Sequence, residues 1–400
     1  MPRGRLTALA LLLFAFALLN SCSHKPPRDE SWRRMVLYPG DMGVQVVWRA
    51  QVTERDLADY LEYEPLEDGI AGVSADAVFV GGRSKTLYKL DRRTGERLGK
   101  RKLDEEIFSQ PLVGGGMVYL GTSSGVFYAL REDNLQDAWT YDSKSEIVAP
   151  PTLHEGIVYF ITQEDVVTAL DAQSGKFLWE YRQDYLTTMI IRRHARPVVD
   201  GDHLYQGFTN GTMCALDRLS GNVAWCRSLT EKGGRFEDVN ATPAIANGFL
   251  YTASFDNGVY CLNADSGVVV WRQDIKSASA PLLIGDTLFV TASEDGLYGL
   301  DVETGAIAAH FEIQKLHHGR EEGALSQPFL YSDRYFVFSA SGSGVYFFDY
   351  RDQRFIERFT PGNGVSAPPT TAGQTVFTLS NGGYVYAIAL ARKAIPPRRP

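Results

Sequence analysis

The stretch "GVQVVWRAQV", Gly43 to Val52, is the end of a repeat with no beginning. Its pattern returns at "GKFLWEYRQ" from Gly175, "GNVAWCRSL" from Gly221 and "GVVVWRQDI" from Gly267. Each of those copies follows an upstream part such as "TALDAQS" or "YCLNADS". Seven units open on a proline, at Pro111, Pro151, Pro197, Pro243, Pro281, Pro328 and Pro368, with spacings of 38 to 47 residues. An eighth unit without the proline precedes them, marked by Asp91. In "APLLIGDTLFV" a short strand, a Gly-Asp turn and a second strand follow one another; "TASEDGLYGLD" adds a turn and a third strand; "VETGAI" turns into a fourth. Four short strands returning at such a period are the signature of a propeller blade. The last unit stops at "YVYAIALARK", after its third strand, and "GVQVVW" is the missing fourth. The expected fold is all-β: an eight-bladed β-propeller of four-stranded antiparallel blades over residues 43–393, closed by the N-terminal strand completing the last blade, with a tail at 394–400. Closure removes the exposed edges that would otherwise template aggregation.

Residues that recur from blade to blade are read as structural, because a functional site occurs once and a turn recurs with the repeat. A Trp stands at one fixed point of the fourth strand, at Trp48, Trp139, Trp179, Trp225 and Trp271, while Gly99, Ala309 and Glu357 replace it elsewhere. A large flat ring at that point fills the gap between neighbouring blades. Asp91, Asp171, Asp217 and Asp301 cap their hairpins by accepting backbone N–H bonds. Cys214 and Cys226 flank one such turn. Pairing Asp217 with Val223 sets the two thiols face to face, whereas a slip of one residue puts them on opposite faces. A disulfide and two free thiols both stand open at this point.

The first residues carry a different signal. "MPRGR" is basic, "LTALALLLFAFALL" is apolar, and "LNSC" ends at Cys22. The run is shorter than a comfortable membrane span and fits a secretory signal. "LNSC" resembles the lipobox of bacterial lipoproteins, which implies a signal peptide over 1–21, lipidation of Cys22 and a tether over 22–42. Ser23, where some lipoproteins carry Asp, implies sorting to the outer membrane. The formal charge is −8, and loss of Arg3 and Arg5 with the leader makes it −10. A net acidic chain with no basic arm argues against nucleic-acid binding, which rests on Lys and Arg neutralising phosphates.

Units of the form "xAPxxxxGxVYxxxxxGxxYALDxxxGxxxW" resemble the pyrroloquinoline-quinone repeat. Two groups carry it: the quinoprotein alcohol dehydrogenases, and the BamB family of outer-membrane lipoproteins. Length, lipobox, eight blades and strand closure resemble the BamB family. "GRFEDVNATPAIANG", Gly234 to Gly248, and "TMIIRRHARP", Thr188 to Pro197, are similar to the two connections through which that family binds a POTRA domain of the barrel protein BamA. Position by position, the resemblance assigns partner binding to Met189, Ile191 and Arg192, and to Asp238. Asn240 stands where the family carries a second acid. The units lengthened by insertion open at Pro151, Pro197 and Pro281, and their extra residues lie between a fourth strand and the next first strand, hence on one face. Met and two Ile in such a loop, where the repeat has no use for them, suggest a partner surface.

These readings imply a non-enzymatic scaffold of β-barrel assembly, a monomer within a complex with BamA, lipid-anchored on the periplasmic side of the outer membrane, with no cofactor and no metal. The alternatives are a periplasmic binding or sensor propeller unrelated to barrel assembly, and a quinone-dependent dehydrogenase. Against the last stand the absence of adjacent cysteines, of a Trp-rich insertion and of spare residues for large loops. "KLHHGREEG", with His317 and His318, lacks defined metal-ligand spacing and reads as a solvated loop. The acidic insertion Glu54 to Gly69 is open between helix and loop.

Overall fold

The computed structural model describes residues 35–36, 41–53, 67–183, 194–230, 236–293, 295–313 and 323–393. They form eight antiparallel sheets, each built from four strands that neighbour one another in chain order, apart from the last blade and one extra strand on the seventh. Blade 4 shows the plan: Val198–Asp200, His203–Gly207, Thr212–Asp217 and Val223–Ser228. The second and third strands are buried along almost their whole length, as in Phe249–Ser254 and Gly258–Asn263 of blade 5. Adjacent blades cover both faces of these strands, so their sequence is continuously apolar instead of alternating. The fourth strands are half-exposed, as in Phe177–Arg182, except in blade 7, where Arg354–Phe359 is mostly buried. Each hydrophobic cluster lies in the seam between two blades; one joins Tyr159, Val167 and Trp179 of blade 3 to Leu204, Cys214 and Leu216 of blade 4.

Closure follows the sequence expectation. Met42–Gln51 pairs antiparallel with Tyr384–Arg392 and completes blade 8, with Val44 opposite Leu390 and Trp48 opposite Ala387. A bulge falls between Val46 and Trp48. The outer strands of blades 3, 4 and 5 bulge at the residue before the Trp in the same way, and those of blades 1, 2, 6 and 7 at the corresponding point. Such a bulge re-aims the side chain that follows it. Met35–Val36, inside the expected tether, pairs with Arg358 and Glu357 and gives blade 7 a fifth strand.

The re-aimed Trp forms the seam between blades. The indole Nε1 of Trp48, Trp139, Trp179, Trp225 and Trp271 donates to the backbone carbonyl of Arg92, Ala172, Arg218, Ala264 and Val302 respectively, at 2.8–3.1 Å. Each of those carbonyls belongs to the 3–4 turn of the next blade. Tyr119, Tyr159 and Tyr205, from the second strands, donate to the same carbonyls as the Trp of their own blade. One carbonyl has two lone pairs and here accepts both bonds. The ring face lies on the turn glycine, Gly95, Gly175, Gly221, Gly267 or Gly305, whose φ is between +66° and +74°. A Cβ there would stand 2.4–2.6 Å from the indole. Glycine is thus required twice, by backbone conformation and by the ring against it. The turn aspartates cap as expected: Asp171 Oδ1 accepts from the backbone N–H of Ser174 at 2.8 Å and from its hydroxyl, and these bonds hold its carboxyl below the usual carboxylate value.

Where the Trp is missing, its partner changes too. Gly99 takes the Trp position in blade 1, and Leu135 takes the turn-glycine position in blade 2 with φ +59°. Leu135 is buried, and its Cδ1 is the nearest atom to a Cβ built on Gly99. Left-handed backbone costs a non-glycine residue about 1–3 kcal/mol, and full burial of a leucine returns about 1.5–3 kcal/mol, so the exchange is tolerable. In blade 7 Glu357 replaces the Trp because blade 8 has no 3–4 turn to receive one. Its Oε2 accepts the backbone N–H of Val44 in the closing strand at 2.7 Å.

Cys214 and Cys226 face each other and form a disulfide. The expected register was off by one at the turn: Val223 pairs with Leu216, not Asp217, and the bulge at Ala224 brings the cysteines opposite. Cys261 is a buried free thiol, and burial pushes it up to about 11.

Two outcomes are expected. Gly99→Trp and Leu135→Gly should each destabilise the protein, the second by about 2 kcal/mol or more through the cavity it leaves. Combined they rebuild the usual seam, so a double-mutant cycle from urea unfolding should give a favourable coupling of about 1–3 kcal/mol; additive losses would refute the compensation. Cys261 should resist iodoacetamide in the native protein at neutral pH and react on unfolding, followed by mass spectrometry, since the thiolate is the reactive form.

Candidate functional site

Chain topology puts the connections from fourth to first strands, and the 2–3 turns, on one face of the ring. The two connections flanking blade 4 were the sequence candidates. Met189, Ile191 and Arg192 lie outside the described residues, as do Cys22, His317, His318 and most of the 54–69 insertion. Their anchors are visible. His194, which ends the first connection, sets Nε2 3.1 Å from Asp165 Oδ1 in the 2–3 turn of blade 3. Asp165 also accepts the backbone N–H of Thr209 at 3.1 Å and the Thr209 hydroxyl, from the 2–3 turn of blade 4. All three side chains are buried. Gln206 Nε2 donates to the carbonyl of Ala195 at 3.0 Å. A buried ionisable pair with extra hydrogen bonds fixes a segment strongly, because removing either member strands the other. The sequence reading missed this network; its only signal is a lone His that follows Arg192 and Arg193 at the end of the inserted segment.

The second connection is pinned over blade 5. Phe236 N–H donates to Asp256 Oδ2 at 2.7 Å, its ring meets Phe255 edge-on at 5.8 Å, and Ser254 Oγ donates to the carbonyl of Glu237 at 3.0 Å. Val239 N–H donates to the Phe208 carbonyl of blade 4 at 3.1 Å. Asp238 is 1% exposed, so its carboxylate points into the protein, and its backbone carbonyl accepts the N–H of Phe255 at 3.1 Å. Asn240 is half-buried and lines a cavity on the ring axis. The structure thus brings Asp238 and Asn240 to the same short segment but aims them inward.

The axial cavity, of about 480 Å³, is bounded by the segments that lead into the first strands of all eight blades. Ile70, Phe108, Val148, Leu325 and Phe329 supply apolar wall, and Arg196 supplies a cation. In quinoprotein propellers the cofactor needs a Ca²⁺ site of carboxylate and amide oxygens and a cover of adjacent cysteines. The four cysteines here stand at 22, 214, 226 and 261. Among the described residues no three His, Cys, Asp or Glu side chains converge to hold a metal ion. The donor set does not fit the quinone.

Fold and repeat together define an eight-bladed propeller of pyrroloquinoline-quinone-type repeats whose axis is not built for that cofactor. Residues 43–146 and 136–310 match the family described as outer membrane protein assembly factor BamB, and the chain belongs to that family. It is similar to the outer membrane protein assembly factor BamB of Burkholderia pseudomallei (strain K96243), with 27% identity over 388 residues, 95% of each chain. Its fold is that of the crystal structure of BamB from Moraxella catarrhalis, with a TM-score of 0.73 at 19% identity over 86% of this chain and 99% of that one. A quinohemoprotein alcohol dehydrogenase from Pseudomonas putida HK5 shares the fold at a TM-score of 0.68 and 13% identity, over 89% of this chain and 78% of that one.

Proposed function

We propose that this chain is a non-enzymatic lipoprotein of outer-membrane protein assembly, anchored through Cys22 on the periplasmic side, which binds a POTRA domain of BamA with the two connections flanking blade 4. Family membership over residues 43–310 supports the assembly role. The observation that carries the binding reading is the bracing of both connections. His194, Asp165 and Thr209 clamp the end of one, and Asp238 and Val239 fix the other beside it. A loop held rigidly at its base presents side chains at little entropic cost, which is how tight recognition is prepared. In this reading Met189, Ile191 and Arg192 make the contact, an apolar centre with a charged rim. Asp238 and Asn240 hold the neighbouring connection in position.

Pull-down with purified POTRA domains, with circular dichroism as the check of folding, tests this. Arg192→Glu with Ile191→Ala should abolish binding and leave the melting temperature unchanged, since truncating central anchors commonly costs about 2 kcal/mol or more of binding. Asp238→Asn should lower the melting temperature as well as the binding, because it alters a buried side chain. Undiminished binding by the folded double variant would place the interface elsewhere. Cys22→Ser should remove the fatty-acid label and release the mature domain from the membrane fraction; a label retained by the variant would refute the anchor.

A further inference from the structure

The residue before the repeat proline lines the axial cavity in six of the seven units that carry one: Gln110, Pro150, Arg196, Thr242, Ala280 and Gln327. In the last it is Ala367. Only one of these seven positions carries a charge. Arg196 Nη2 donates to Gln110 Oε1 at 3.3 Å across the axis, from blade 4 to blade 2. Its Nε is buried and has no hydrogen-bond partner among the described residues. No carboxylate among them lies within ion-pair reach: Asp68, which also lines the cavity, makes no ion pair with it, and Asp165 is taken by His194. Burial alone pushes the guanidinium below its ordinary value. A largely buried cation facing a neutral amide is poorly compensated, because removal from water costs several kcal/mol that a single neutral bond does not return.

The surroundings are prepared for an anion. Gln110 is held in one orientation, with its Nε2 donating to the Ala71 carbonyl at 2.8 Å and to Thr370 Oγ1 at 3.2 Å, so that Oε1 is the atom left for Arg196. The Arg196 backbone N–H donates to Thr242 Oγ1 at 3.0 Å, which fixes the main chain from which the side chain reaches. The cavity volume, about 480 Å³, lies within the range of small-molecule sites. Its lining combines apolar side chains, among them Ile70, Phe108, Leu325 and Phe329, with polar ones such as Asn240, Ser326 and Gln327. That combination fits an organic acid better than a fully hydrated inorganic ion, which would leave the apolar wall wet.

We propose that the axial cavity binds a small organic carboxylate, its head group on Arg196 and its body against Ile70, Phe108 and Leu325. The site adjoins the two connections flanking blade 4, since His194, Arg196 and Asn240 line it, but its ligand sits on the axis and not on the side chains proposed for partner contact. The test uses the full mature chain, with melting temperature and calorimetric titration as readouts, and straight-chain and phenyl-substituted monocarboxylates from acetate to phenylpropionate as probes. Phenylpropionamide and sulfate are the controls. At least one carboxylate should raise the melting temperature as ligand linkage requires, and the amide of the same shape should not. Arg196→Gln should lower the affinity for that acid at least about tenfold, while its own melting temperature stays at or above the parent's. No Arg196-dependent response from any acid would overturn the proposal. So would a response unchanged in an Arg196→Gln protein that melts earlier, because Arg196 would then be a structural tie between blades. A sulfate response as strong as that of the best acid would overturn the organic-acid assignment and leave an inorganic-anion site.

Discussion

The ring stands on one contact repeated from blade to blade: an indole laid flat on a glycine turn, with its N–H on the carbonyl of that same turn. Neither half works alone. Without the Trp the glycine turn leaves a slot in the seam, and without the glycine the ring has no room, since any Cβ would stand within 2.6 Å of it. The tyrosine of the second strand adds a second donor to the same carbonyl in three seams. Those three seams therefore combine a large apolar contact with a fully used acceptor. The spacing between blades is fixed by geometry instead of by bulk hydrophobicity.

The exceptions show how the rule is conserved in substance while its residues change. Leu135 fills from the turn side what Gly99 vacates from the strand side. Glu357 meets a backbone N–H of the closing strand where no turn carbonyl exists. The same substitution logic applies at the axis, where six of the seven residues before the repeat prolines are neutral and the seventh is Arg196. That position lies one residue from the repeat proline, so its backbone is as constrained as in every other unit and only the side chain is free to vary.

The periodic part of the structure was legible in the sequence because period and turn chemistry repeat. Eight copies of a weak signal make a strong one. The orphan strand at Gly43 was legible for the same reason, as a count that did not close. What escaped was whatever leaves no mark in the residue types. The one-residue bulge at Ala224 shifted the expected partner of Val223 from Asp217 to Leu216, although Cys214 and Cys226 still met. A bulge has no residue signature in a strand that is already half-exposed. The inward aim of Asp238 was hidden because an acid in an inserted loop reads as surface, whereas here the loop is packed onto blade 5 and the residue is buried. The His194–Asp165–Thr209 cluster joins three segments up to 44 residues apart, and no local pattern announces such a meeting.

The pairing of Met42 with Arg392 joins residues 350 positions apart, nearly the whole chain. During synthesis the first strand is made before any of its neighbours and must wait, with its hydrogen-bonding edge unsatisfied, until the last strand exists. Blades 1 to 7 can form in order of appearance, each seated on the one before it through its own seam. The eighth cannot, and its closure is the contact of longest sequence separation, the kind that comes late and slowly. A ribosome-bound or truncated chain is therefore an open arc with one strand-hungry end and one idle strand. Closing that arc into a ring needs the last strand, Tyr384–Arg392, to be in place.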